Sequence, residues 1–179
     1  CAMSRTYTLL LILMLTSTPF LNAQEADENP TPVPAATVSE EDAKLFKKAE
    51  RYFFQGKFEM AEIMLQEVIR KNPENADAYA YLGDILLQKK RYDGALNLYT
   101  RALDLKPDSG DTLFRMGQVY YYKKMGAPAI EYFSRAVEKD PSLKFSYFHL
   151  GLAYLMLQRD KAGTIANWEK YLALAPEDP

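Results

Sequence analysis

His149 is the one histidine of the chain and Cys1 its one cysteine. A zinc or other soft-metal site is assembled from several such side chains at short spacing. His149 has no Cys, His or acid pair placed to complete one. A single cysteine also excludes a disulfide within the chain. Phosphate and nucleophilic chemistry leave their own patterns, and the chain has neither a Gly-rich phosphate loop nor a nucleophile elbow. Carboxylates are frequent, but most fall where helices would meet solvent or turns. These residue types predict a protein with no enzyme activity, no metal site and no cofactor.

The 179 residues are 48% apolar and 26% charged, ordinary values for a folded chain. The formal net charge is −2. From Asp42 onward 21 Lys and Arg face 19 Asp and Glu, and no concentrated basic face of the kind that nucleic acid requires is expected. Nucleic acid is therefore not expected as a partner. The aromatic content is the unusual figure: thirteen Tyr, nine Phe and one Trp bring it to 13%.

The first residues read as a leader. Arg5 precedes the apolar run Leu9–Leu15 (LLLILML), and Leu21-Asn22-Ala23 follows. A positive charge, a short apolar stretch and a small terminal residue are signal-peptide grammar. Seven apolar residues are too few to span a bilayer, which takes about 20. Residues 1–23 are expected to be a leader cleaved after Ala23, which makes the protein exported and periplasmic. The alternative is an uncleaved leader that anchors the protein at a membrane. A lipidated N-terminal Cys would follow such a leader, whereas Cys1 precedes it. Residues 24–38 (QEADENPTPVPAATV) carry Pro30, Pro32 and Pro34. Alternating prolines remove backbone donors and favour extended chain, so this stretch is expected to be a disordered spacer.

The residues that remain must be positioned by helices. Ser39 offers an N-cap, and Glu40, Glu41 and Asp42 complement a helix dipole. From there the chain divides into units of about 34 residues: 42–75, 76–109, 110–143 and 144–177. Each unit holds two amphipathic segments. Ala49, Gly83, Gly117 and Gly151 recur on the first segment, one place after Lys48, Leu82, Met116 and Leu150. Tyr52, Leu86, Tyr120 and Tyr154 follow three places later. On the second segment Ala61, Ala95, Ala129 and Thr164 recur, followed four places on by Leu65, Tyr99, Phe133 and Trp168. Val68, Ala102, Ala136 and Tyr171 come three places after these. Each unit closes on a proline: Pro73, Pro107, Pro141 and Pro176.

A small residue on the first helix lets the second approach, the large residue fills the space beside that contact, and Pro stops the second helix. One helix pair cannot bury its apolar face alone, so pairs must stack. This pattern resembles the tetratricopeptide repeat family, in an exported, bacterial-type member. The second unit carries the match most fully, through Leu82-Gly83, Tyr92, Ala95, Tyr99, Ala102 and Pro107. The resemblance covers residues 39–179 and implies an all-α, right-handed solenoid of four helix-turn-helix repeats. Two departures are local. Lys48 replaces an apolar residue on the outer face of the first unit. The fourth unit has an extra residue within Leu157–Gly163, and its last turn is expected to pack differently.

The resemblance also implies a concave groove, lined by the first helices, that receives an extended peptide or a partner helix. The first unit would contribute Phe46, Glu50, Phe53 and Phe54. The second would contribute Asp77, Ala80, Asp84, Leu87 and Gln88. Asp111, Phe114, Gln118, Tyr121 and Tyr122 would come from the third, and Phe145, Phe148, Leu152, Leu155 and Met156 from the fourth. Such a surface suits an apolar or basic-and-apolar segment. The Lys and Asn residues with which some members hold a chaperone's C-terminal carboxylate are missing at these places, so a chaperone tail is not expected.

Two further surfaces follow from the register. Lys57, Lys89-Lys90-Arg91, Lys123-Lys124, Arg159 and Lys161 recur at the turn within each unit. Glu74, Asp77, Asp108, Asp111 and Asp140 recur at the turns between units, so a basic edge should lie across from an acidic one. The fourth unit is expected to lack a polar cap, and Ile165, Trp168, Tyr171 and Leu172 are expected to support self-association into a homo-oligomer. The expected function is a scaffold or adaptor in the cell envelope that binds a protein or peptide. The alternatives are a self-associating structural subunit of an envelope complex and a carrier of an apolar small ligand. Open helical-repeat grooves fit the carrier poorly, because small-ligand pockets enclose most of their ligand.

Overall fold

A computed structural model describes residues 40–176. The expected leader, spacer and Ser39 cap, and the last three residues, lie outside the described residues. Within them the chain forms four successive helix pairs: α1 (Glu40–Phe54) with α2 (Phe58–Lys71), α3 (Ala76–Gln88) with α4 (Tyr92–Leu105), α5 (Gly110–Tyr122) with α6 (Gly126–Lys139), and α7 (Lys144–Ala153) with α8 (Lys161–Leu174). A π-helical turn, Tyr154–Gln158, extends α7. The described residues contain no strand. The fold is an all-α solenoid of helix-turn-helix repeats. No described helix is long and apolar enough to cross a membrane.

Local chemistry sets the helix ends. Asn75, Ser109 and Asp160 cap α3, α5 and α8, their side-chain oxygens accepting from the backbone N–H of Ala78, Thr112 and Gly163. At the other end, Pro73, Pro107, Pro141 and Pro176 each stand two residues beyond a second helix, where they forbid its continuation. The turn inside each pair is closed by a backbone bond of 2.8 to 2.9 Å: Lys57 N–H to Tyr52 O, Arg91 to Leu86, Met125 to Tyr120 and Asp160 to Tyr154. The fourth of these spans one residue more than the others. The extra residue is therefore absorbed at Tyr154–Gln158, upstream of most of the stretch where the sequence placed it. An α-helix takes up an insertion with least disruption as one π turn.

Packing follows the small-and-large alternation. A Cβ on Gly83 would stand 2.7 Å from Tyr99 Cδ1, and one on Gly117 would stand 2.5 Å from Phe133 Cδ1. A Cβ on Gly151 would overlap the Trp168 indole. The absent side chain is thus filled by the ring of the facing helix. In the first pair the same place is taken by Ala49, fully buried beside the buried Leu65. Tyr99, Phe133 and Leu65 are wholly buried and form the spine of the core. Burial of one such side chain contributes roughly 1.5–3 kcal/mol. Thr164, the polar exception in the Ala61, Ala95, Ala129 series, is buried with its hydroxyl donated to Asp160 O at 2.6 Å.

Candidate partner-binding groove

The first helices lie side by side, α1 against α3, α3 against α5 and α5 against α7. Between them opens a recess of about 230 Å³ lined by Glu50, Asp77, Ala80, Tyr81, Lys106, Ser109, Asp111, Thr112 and Arg115. Four of these, Glu50, Asp77, Ala80 and Asp111, belong to the groove set that the family resemblance implied. Tyr81 and Arg115 do not, and they organise the recess. The Tyr81 hydroxyl donates to Glu50 at 3.1 Å. Arg115 Nε sits 2.9 and 3.0 Å from the two carboxylate oxygens of Asp84, which also accepts from the Tyr99 hydroxyl at 2.8 Å.

Burial acts on this network. It pushes the Asp84 carboxyl above its usual 3.8, while Arg115 and then the Tyr99 hydroxyl pull it part of the way back. Burial, reinforced by Glu50, pushes Tyr81 up to about 12. Burial and Asp84 together raise Tyr99. Asp84 is therefore committed to holding Arg115 and Tyr99, and its part in the groove is to fix the wall.

The register carried a signal for these residues. Tyr81, Arg115 and His149 occupy one column of the repeat, 34 residues apart. Tyr81 and Arg115 each reach an acid 31 residues back, Glu50 and Asp84, on the preceding first helix. His149 instead enters a cage of rings, with centroids 5.2, 5.7 and 5.6 Å from Phe114, Phe133 and Phe148. Its Nδ1 lies 2.9 Å from Phe145 O, which assigns the proton to that nitrogen. Burial holds its pKa below the ordinary 6.5.

The aromatic residues of the expected groove divide. Phe46 and Phe53 pack on Tyr81 at 6.0 and 5.0 Å, and Phe114 packs on Phe133. Phe148 stacks on Trp168 at 6.3 Å and 18°. Leu87 packs against the core cluster of Ala95, Tyr99, Met116 and Val119, and Tyr121 against that of Ala129 and Phe133. Gln118 and Leu152 are half-buried and Gln88 is exposed. The open apolar groups are Phe54, Tyr122, Phe145, Leu155 and Met156.

At the end of the solenoid, Trp168 and Tyr171 also turn inward. Trp168 donates to Phe148 O at 3.2 Å, and Tyr171 packs on Phe145 and Phe148. Ile165 and Leu172 are exposed. Along the turns inside the pairs, Lys89 pairs with Glu62 at 2.7 Å and Lys123 with Asp93 at 2.5 Å. The basic edge thus carries some acids of its own. At the opposite edge, Lys71 meets Asp42 within the first pair at 3.3 Å, and Lys139 meets Asp108 of the turn between the second and third pairs. Among the described residues no group of three or more His, Cys, Asp or Glu could hold a metal.

Stacked helix pairs with a groove along their first helices define a helical-repeat solenoid. Two tetratricopeptide repeat family models match the chain, at residues 46–110 and 86–143, together more than half of its length. The chain belongs to the tetratricopeptide repeat family. Proteins of this family are generally protein–protein interaction scaffolds, and the fold is typically non-catalytic. No curated protein sequence matches the chain. Among solved structures it is similar to MamA, with 22% identity and a TM-score of 0.68 over 76% of this chain and 79% of that one. It is similar to PilF of Pseudomonas aeruginosa, with 23% identity and a TM-score of 0.72 over 78% and 64%. It is also similar to YrrB, described as having an unusual peptide-binding site, with 20% identity and a TM-score of 0.64 over 76% and 70%. At these identities the likeness is one of fold.

Proposed function

We propose that this protein is a non-enzymatic scaffold of the cell envelope whose groove receives a partner peptide or helix carrying basic and apolar side chains. The observation that carries this reading is the recess between α1, α3 and α5. Glu50, Asp77 and Asp111 line it, while Arg115 is held back by Asp84. Lys106 stands 4.0 Å from Asp77, both well exposed, too loose a pair to neutralise the rim. Phe54, 74% exposed, lies 6.1 Å from Tyr81 beside it and offers an anchor for an apolar side chain. The peptide-binding site named for YrrB supports the use of such a fold for peptides. The envelope location rests on the leader grammar of residues 3–23, with an uncleaved anchor as its alternative.

A photo-crosslinking residue at Asp77 or Asp111 should capture a partner in envelope extract. The same residue at Gln66 or Asn97, exposed on α2 and α4, should not. Asp77→Lys with Asp111→Lys should abolish capture. Equal capture from all four positions, or capture unchanged by the charge reversals, rejects the groove.

A second reading is favoured by α8. Ile165 aligns in the repeat with Leu96 and Ile130, and Leu172 with Ile69 and Leu103. Those four are half-buried and pack into the core clusters, whereas Ile165 is 57% and Leu172 54% exposed. In this reading a second copy covers α8, and the protein is a self-associating subunit.

A further inference from the structure

The turns inside the helix pairs form an edge with a chemistry of its own. Phe54, Gln88, Tyr122 and Met156 stand at one repeat position, at the end of each first helix. Phe54, Tyr122 and Met156 are 74%, 52% and 63% exposed. Met125 and Leu155 are exposed on the same turns. Two residues further on come Gly56, Lys90 and Lys124, and beyond the π turn Arg159. All four have positive φ, at 71°, 56°, 59° and 57°. Glycine adopts this conformation without steric cost, whereas a side chain there places Cβ against the following carbonyl.

Gly56 shows that the fold accepts glycine at this place. The other three repeats put a cation there instead. The side chains of Lys90, Lys124 and Arg159 make no ion pair or hydrogen bond among the described residues, and the left-handed backbone is held by the turn's own bonds, such as Lys90 N–H to Leu87 O and Lys124 N–H to Tyr121 O, both 2.9 Å. What the turn does not explain is the choice of side chain, a cation with an unpaired head group in three repeats where glycine fits. Lys57, Arg91 and Lys161 flank the same turns. The opposite edge carries Glu74, Asp108, Asp111 and Asp140. The turns inside the pairs thus carry an excess of cations, although Glu62 and Asp93 pair with Lys89 and Lys123, while at the opposite edge Lys71 and Lys139 pair with Asp42 and Asp108.

The geometry points to a docking edge for an anionic lipid bilayer. The cations meet the headgroup phosphates, and Phe54, Tyr122 and Met156 enter the boundary between headgroups and acyl chains. Long basic side chains beside exposed apolar ones are the pattern of interfacial membrane contact. A row that repeats once per helix pair, and that lines neither the recess beside α1 nor the one between α1, α3 and α5, fits a laterally uniform surface.

The test uses the full chain and a triple variant, Lys90→Gly, Lys124→Gly and Arg159→Gly. Vesicles are of phosphatidylcholine alone or mixed with phosphatidylglycerol, and partitioning is read by flotation at low and high salt. Wild type should float with the anionic vesicles only, and less so at high salt. The triple variant should melt at a higher temperature, because the strain is relieved, yet partition on the order of a hundredfold more weakly, since each cation near an anionic surface accounts for roughly fivefold. Lys90→Asn, Lys124→Asn and Arg159→Asn, which also tolerates positive φ, should lose the same partitioning. Four outcomes overturn the proposal: no flotation of wild type, equal flotation with neutral vesicles, unchanged partitioning of the variants, or binding to polyglutamate without binding to vesicles.

Discussion

Arg115 and Asp84 stand on neighbouring first helices and hold the middle of the groove through one guanidinium and one carboxylate. Arg115→Ala would leave that carboxylate half-buried with the Tyr99 hydroxyl as its remaining partner. Removing one member of a buried pair strands the other charge. We expect a loss of about 2–3 kcal/mol by urea unfolding, against about 1 kcal/mol for Tyr99→Phe, which deletes one hydrogen bond. His149 supplies a pH dependence. Its folded pKa lies below 6.5, so the unfolded chain takes up the proton first as the pH falls. Stability should be full above about pH 6.5 and decline below it, until the folded imidazole is charged as well. His149→Gln should flatten that part of the curve of urea midpoint against pH, and an unchanged slope would show that the caged imidazole is not its source.

At the scale of the element, the contact between first and second helix is a glycine against a ring. Helix propensity alone favours Ala over Gly by about 1 kcal/mol. Gly83→Ala should nevertheless lower the melting temperature, because the new Cβ meets Tyr99 and overpacking costs about 1–3 kcal/mol. Gly94→Ala is the control. Its Cβ would meet only the tip of Leu86, 2.9 Å away and free to shift, so this substitution should be neutral or raise the melting temperature. If the two variants melt alike, the close approach of the helices does not depend on Gly83. The small-and-large pairing was legible in the sequence because both partners repeat within one unit. The π turn was legible only as a surplus residue, since many places between Gly151 and Trp168 could have absorbed it.

At the scale of the whole molecule, the two expected surfaces of association come out differently. The self-association set of Ile165, Trp168, Tyr171 and Leu172 divides, with Trp168 and Tyr171 turned into the fourth pair and Ile165 and Leu172 left open. Trp168→Glu would therefore damage the fold and say nothing of an interface. Ile165→Glu with Leu172→Glu is the informative variant. Light scattering across concentration should show a dimer for wild type and a monomer for the double variant. A wild type that is monomeric at every concentration removes the second reading.

The sequence by itself determined the helix pairs, their order and the residues that space them. Small residues, large residues and stopping prolines act within a few turns of helix, and their repetition made the pattern unambiguous. The family resemblance put Glu50, Asp77 and Asp111 on one groove, and these three line the recess between α1, α3 and α5. Only the tertiary structure decided which aromatic side chains stay open. Phe46, Phe53, Phe114 and Phe148 meet rings from the next helix or the next pair before they meet solvent, and such contacts join residues about 20 to 35 positions apart. Tyr81 and Arg115 entered the groove for the same reason. Each looks like a neighbour of a core leucine or methionine along the chain, and each finds its partner 31 residues back, across the seam between repeats.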